Sequence, residues 1–163
     1  MKKPLISDKL KAKLDSLANL ELYNSHLYKH LANLCQMMGY FGAQKHFLKE
    51  AQEEVVHYQK VVDFLNDAGA LVEINAIKGV GTKAKTLGDL LSAAYDQEVV
   101  TEQAYAELAD DCMGDDHVVY DFAIHVLQHQ RKSVGEYGDL LARYETVKDN
   151  TSGILSIDRE LGE

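Results

Sequence analysis

Glu54 and His57 stand three residues apart in AQEEVVHYQK, residues 51–60, inside a run with the periodicity of an amphipathic helix. Residues at i and i+3 share a helical face, so this carboxylate and imidazole can point inward together. Other segments offer donors of the same kind. Glu21 interrupts an apolar face between Leu17 and Tyr28. Glu98 lies on a stripe with Leu91, Tyr95, Tyr105 and Leu108, and Gln130 brings an amide to a stripe with Phe122, Val126 and Tyr137. Taken singly, each has an ordinary explanation at the edge of a core or on a solvated face. Taken together they point to a metal site, because buried carboxylates without partners are costly and a cation supplies the missing charge. Carboxylate-rich sites with one or two imidazoles suit Fe(II), Mn(II) or Zn(II).

Tyr28 lies seven residues after Glu21 and shares its face, either as a core aromatic or as a hydroxyl beside a redox metal. In QHQRK, residues 128–132, His129 is adjacent to Gln130 and belongs either at the rim of such a site or in solvent; His125 faces the same choice. His26 and His46 have no comparable set of partners and read as surface residues. Cys35 and Cys112 form no CxxC pair and read as packing residues at helix ends, with no disulfide framework and no thiol catalysis.

These donors need helices to hold them. Ser7 or Asp8 can cap a first helix carrying Leu10, Leu14, Leu17, Glu21, Tyr28, Leu31 and Cys35. A turn at residues 38–42 leads to a second helix over about 43–68, stopped at Ala68-Gly69. Residues 70–87, with GVG at 79–81, read as a long and partly extended connection. Adjacent antiparallel helices need only a few linking residues, whereas crossing the length of a bundle needs many. A third helix over about 88–112, a turn at Gly114-Asp115-Asp116, a fourth helix over about 117–146 and a short helix over about 153–162 complete the plan. The expectation is an all-α fold: a four-helix bundle with a long crossover between the second and third helices and a short C-terminal fifth helix. It is a single domain over residues 1–163, with its core bundle at about 7–146.

The chain has 163 residues, a formal net charge of −9 and only one proline, Pro4, so nothing after residue 4 removes a backbone donor from a helix. Negative charge argues against nucleic-acid binding and favours attraction of cations. No run approaches the roughly 20 apolar residues of a membrane span, the start lacks the apolar stretch of a signal peptide, and there is no phosphate-binding GxxxxGK[ST] loop. The expected compartment is cytoplasmic.

NLELYNSHLY at 19–28, AQEEVVHYQK at 51–60, YDQEVVTEQ at 95–103 and GILSIDREL at 153–161 together resemble a non-haem ferritin of the bacterial type over essentially the whole chain. The resemblance implies a ferroxidase that oxidises Fe(II) with dioxygen or hydrogen peroxide at a diiron centre, two irons (Fe2+/Fe3+) per subunit. It also implies ferric mineral laid down inside a homo-oligomeric cage of 24 subunits. By the same resemblance Glu21, Glu54 and His57 hold the first iron, and Glu54 bridges to a second iron that Glu98 also binds. Gln130 is the hydrogen-bonding residue beside the pair, Tyr28 the tyrosine next to the centre, and Glu53 the neighbouring carboxylate associated with a third iron site or with iron transit.

The fourth helix departs from the family pattern. Where many bacterial ferritins add glutamates, this chain has His129, Lys132 and Ser133, and Leu127 precedes Gln130 where a second ExxH would need Glu. No haem is expected, because Val55 occupies the place of the haem-binding Met of bacterioferritins. Ile154, Leu155, Ile157 and Leu161 of the tail either pack around a four-fold axis, as in ferritins, or cover the end of their own bundle. Two other functions compete with mineral storage by a ferroxidase: a cage subunit without useful oxidation activity, and a diiron oxidase or peroxidase acting on a small molecule.

Overall fold

Side-chain caps open four of the five helices, and the second instead follows directly on the turn that ends the first. Ser7 is extended, and its hydroxyl accepts from the Leu10 amide at 3.3 Å, which opens α1 (Asp8–Met38). Gly39 ends that helix at φ 83°, a left-handed conformation that glycine adopts without a side-chain clash, and only Gly39 and Tyr40 separate α1 from α2 (Phe41–Asp67). Thr86 and Asp89 form a reciprocal capping box at the start of α3 (Leu87–Cys112). The Asp116 carboxylate accepts from the Val118 and Val119 amides to open α4 (His117–Val147), and Asn150 accepts from Gly153 to open α5 (Thr151–Leu161). The computed structural model describes residues 3–163. The first two residues of the amino-terminal segment, and with them the start of the 1–163 domain reading, lie outside it.

Side-chain pairings fix the helix directions. Ser25 meets Ala51 and Tyr28 meets Phe47; Glu21 meets Tyr105 and Tyr28 meets Glu98; His46 meets Tyr137 and Phe64 stacks on Phe122. In each pair of contacts one number rises as the other falls, so α1 runs antiparallel to α2 and α3, and α2 antiparallel to α4. It follows that α2 and α3 run parallel, and the chain between them must travel the length of the bundle. Residues 70–85 do so without regular structure. They are pinned to α1: Asn19 bonds the Glu73 carbonyl and the Asn75 amide, each at 2.8 Å, and the Asp15 carboxylate accepts from the Glu73 amide at 3.0 Å. Among the described residues no helix is long and apolar enough to cross a membrane.

The apolar core falls into two bodies. One gathers Leu10, Leu14, Val61, Leu65, Leu108 and Ala123 at one end; the other gathers Leu31, Phe47, Leu91, Tyr137 and Ile157 at the opposite end. Between them lies a layer of buried polar side chains: Glu21, Asn24, Glu54, Glu98, Thr101 and Gln130.

Helix α5 covers the end of its own bundle with Ile157, Ile154 and Leu161, while Leu155 faces outward, 46% exposed. The fit is close. Asp158 accepts from the Ala43 amide at 2.8 Å, and a Cβ on Gly42 would come within 1.7 Å of the Asp158 carbonyl oxygen. The helix begins at Thr151, two residues ahead of the expected start, because Asn150 supplies the cap.

Candidate metal centre

Mid-length positions on four helices converge in the polar layer. α1 contributes Glu21, α2 contributes Glu54 and His57, α3 contributes Glu98 and α4 contributes Gln130; His57 alone among them reaches solvent to any extent. Ligand atoms of Glu21, Glu54 and His57 all lie within 4.8 Å of one another, close enough to hold one metal ion. His57 Nδ1 is 3.1 Å from Glu54 Oε2.

Glu98 is buried in the same layer, but both of its oxygens are engaged: the Tyr28 hydroxyl donates to Oε1 and the Gln130 amide to Oε2. Glu21 is held in a matching way from the opposite helix. The Tyr105 hydroxyl donates to its Oε1 at 2.6 Å, and Asn24 Nδ2 to its Oε2 at 3.2 Å. Asn24 is itself fixed, donating to Thr101 at 3.0 Å and accepting from Gln97 at 2.8 Å. Two glutamate–tyrosine pairs, Glu21–Tyr28 on α1 and Glu98–Tyr105 on α3, are therefore exchanged across an antiparallel contact, each tyrosine serving the other helix's glutamate.

Three carboxyls in one dry layer cannot easily ionise together. Burial pushes Glu54 up to about 8, and burial followed by the nearby Glu54 charge holds Glu21 well above the ordinary carboxylate range. Glu98 is raised by burial, against which the Tyr28 hydroxyl hydrogen bond acts. A dication supplies the positive charge that this layer lacks, and oxygen donors with a single imidazole suit Fe(II), Mn(II) or Zn(II).

Glu53 and His129 lie outside the cluster. Glu53 is exposed and ion-paired with Lys49 at 3.6 Å. His129 is exposed on α4 with its ring 5.0 Å from that of His125, and both line a cavity of about 360 Å³ that reaches His57, Tyr105 and Gln130. Lys132 points outward and pairs with Glu136 at 3.5 Å, and Ser133 bonds the His129 carbonyl at 3.4 Å. His26 is exposed as expected. His46 is not a surface residue: its ring packs on Phe47 and Tyr137 and its Nε2 lies 3.2 Å from the Tyr137 hydroxyl, because its place on α2 faces the α4 aromatics.

Tyr105, a member of the third-helix stripe, is the residue holding Glu21 that apolar periodicity alone does not single out. The signal that marks it is its spacing: seven residues after Glu98, as Tyr28 is seven after Glu21.

An antiparallel bundle with a long crossover, holding carboxylates and an imidazole between two apolar bodies, defines the carboxylate-bundle class of metal proteins. Residues 11–147 match the ferritin family, described as a ferritin-like domain, and the chain belongs to that family. It is 29% identical over 150 residues to a bacterial non-heme ferritin of Escherichia coli O6:H1, covering 91% of each chain. To a probable bacterial non-heme ferritin-like protein of Haemophilus influenzae it is 25% identical over 159 residues, covering 97% of this chain and 96% of the other. Among solved structures, an open-pore ferritin from Archaeoglobus fulgidus superposes with a TM-score of 0.93 at 23% identity, over 96% of this chain and 98% of that one. An engineered closed form of the A. fulgidus ferritin gives the same score and identity over 96% of both chains. At that identity the likeness is one of fold.

Proposed function

We propose that this chain is an iron-storage ferritin subunit that oxidises Fe(II) with dioxygen or hydrogen peroxide at a diiron ferroxidase centre inside each subunit. The product is ferric mineral held in the cavity of a homo-oligomeric cage, 24 subunits on the family pattern, in the cytoplasm. The whole chain, residues 1–163, is read as one ferritin-like domain. The observation that carries this reading is the Glu21, Glu54 and His57 cluster, set in a buried layer that also contains Glu98 and Gln130.

Fe(II) is here the substrate. Glu21, Glu54 and His57 would take the first ion, and Glu54 and Glu98 the second. Each ion gives one electron to the oxidant, and hard carboxylate oxygens favour the Fe(III) product. Tyr105 and Asn24 orient Glu21, as Tyr28 and Gln130 orient Glu98; these bonds limit the reorganisation the ligands need when the ions arrive. Loading displaces the protons that burial keeps on Glu21 and Glu54, and the cavity beside His57 and Gln130 gives those protons and the ions a route.

Anaerobic Fe(II) titration of the metal-free protein, followed by rapid exposure to oxygen, tests the reading. About two fast-oxidising irons per chain are expected for a paired-metal site. Glu21→Ala, Glu54→Ala and His57→Ala should each abolish the fast phase while leaving assembly intact. Stoichiometric binding without fast oxidation would favour the storage-only subunit, and turnover of a small molecule without mineral would favour the oxidase. Absence of saturable Fe(II) binding would reject the site.

A further inference from the structure

The cavity that reaches the buried cluster is lined by polar side chains at its mouth and by apolar ones along its wall. Phe64 and Phe122 stack 4.4 Å apart, centre to centre, and line it together with Val126. His57, Tyr105 and Gln130 lie at its inner end, and its outer part is lined by His125 and His129 from α4 and by Lys60, Asp63 and Asp67 from α2.

His125 and His129 are one turn apart on the exposed face of α4, and neither ring forms a hydrogen bond to protein among the described residues. Histidines at i and i+4 share a helix face, a spacing with which two imidazoles can hold a single transition-metal ion. The ring geometry fits. An ion about 2.1 Å from one nitrogen of each ring lies about 3.2 Å from each ring centre, and a ligand angle between about 90° and 109° then places the centres roughly 4.5–5.2 Å apart. The observed separation is 5.0 Å, with the rings inclined at 73°.

We propose that His125 and His129 form a second cation site, distinct from the buried cluster, which captures a divalent transition-metal ion at the cavity mouth and delivers it to His57. Two imidazoles select ions of the Fe(II), Co(II) and Zn(II) kind over the hard cations Mg(II) and Ca(II), which prefer all-oxygen shells. Water completes the coordination, so the ion exchanges readily, as a capture site requires. Asp63 and Asp67 outweigh Lys60 across the cavity and favour a cation there. Delivery rests on the buried cluster being the ions' destination, as proposed above; the histidine site itself does not.

Zn(II) titration calorimetry on the assembled, metal-free protein tests the site. The parent should show a tight class and a weaker class. His125→Ala/His129→Ala, which changes only exposed helical side chains, should lose the weaker class or weaken it at least about 10-fold. Glu21→Gln/Glu54→Gln should lose the tight class and keep the weaker one. A double-histidine variant that binds Zn(II) with the parent's stoichiometry and affinities would overturn the proposal. Delivery is read separately, from the rate at which dilute Co(II) fills the buried cluster, followed by visible absorption. The double-histidine variant should fill several-fold more slowly and recover in excess Co(II); an unchanged rate at low Co(II) overturns the delivery role. Both readouts are independent of iron oxidation, so they report even if the ferroxidase reading fails.

Discussion

Removing metal from this protein should make its stability fall as the pH rises from about 5 to 8.5, the reverse of the trend for a protein held by surface ion pairs. Glu54 is only 4% exposed, and burial lifts its carboxyl from 4.5 to about 8. Between those two values the folded chain keeps a proton that the unfolded chain has lost, so the unfolded state binds fewer protons and the slope of unfolding free energy against pH is negative. Glu21 and Glu98 are shifted in the same direction, and Glu50, raised to about 7 by burial and the neighbouring Glu53, adds to it. For Glu54 alone the shift corresponds to at most roughly 5 kcal/mol. Local relaxation and water penetration reduce this, and a loss of about 2–4 kcal/mol is expected. Chemical denaturation of chelator-treated protein across that pH range measures it. Glu54→Gln removes the titrating group, so it should match the parent within about 1 kcal/mol at pH 5 and exceed it by about 2–4 kcal/mol at pH 8.5. Zn(II) should restore the parent at high pH but not the variant. A metal-free parent whose stability is flat or rises over this range would refute the idea that unneutralised carboxylates strain the layer.

Tyr105→Phe removes the 2.6 Å hydrogen bond to Glu21 and should cost about 1–3 kcal/mol in the metal-free protein, read by denaturation, because a buried carboxyl loses a donor. Tyr28→Phe should weaken Fe(II) binding at the Glu98 side more than at the Glu21 side, seen as a selective loss of the second ion in anaerobic titration. Gly42→Ala drives a methyl group into the Asp158 carbonyl and should dislodge α5, making the tail susceptible to limited proteolysis while Zn(II) binding at the buried cluster persists.

Helix positions were legible in the sequence to within a residue or two because proline-free runs and apolar periodicity run through each element; the starts of α2, which has no side-chain cap, and of α5, capped by Asn150, were the ones displaced. The long segment after Gly69 was also informative: its length implied that the second and third helices run parallel. Glu21, Glu54 and Glu98 stood out because carboxylates interrupting apolar stripes need partners. Tyr105 did not, since an aromatic at core spacing reads the same whether it fills space or holds a ligand. His46 misled for the opposite reason: a polar residue near a helix start reads as solvated until α4 sets Tyr137 beside it. The tail's amphipathic period marked its apolar residues, but it could not say which surface three of them would cover; that depends on Gly42, more than 100 residues earlier.

The site has an approximate two-fold pattern that its chemistry breaks. Glu21–Tyr28 on α1 corresponds to Glu98–Tyr105 on α3, and the two pairs interlock. On the other two helices the correspondence fails: α2 offers Glu54 and His57, whereas α4 offers Leu127 and Gln130 at the same spacing. One half of the layer therefore carries a carboxylate and an imidazole, and the other an apolar side chain and a neutral amide that donates to Glu98. A donor aimed at Glu98 holds that carboxylate in place but contributes no charge. The two ions proposed here would consequently occupy unequal positions, the one at Glu21, Glu54 and His57 held tightly and the one toward Glu98 more weakly and more exchangeably. That inequality suits a centre whose oxidised product has to leave. A second ExxH on α4 would make both positions equally retentive, and the absence of Glu at residue 127 favours turnover of iron over its permanent retention as a cofactor.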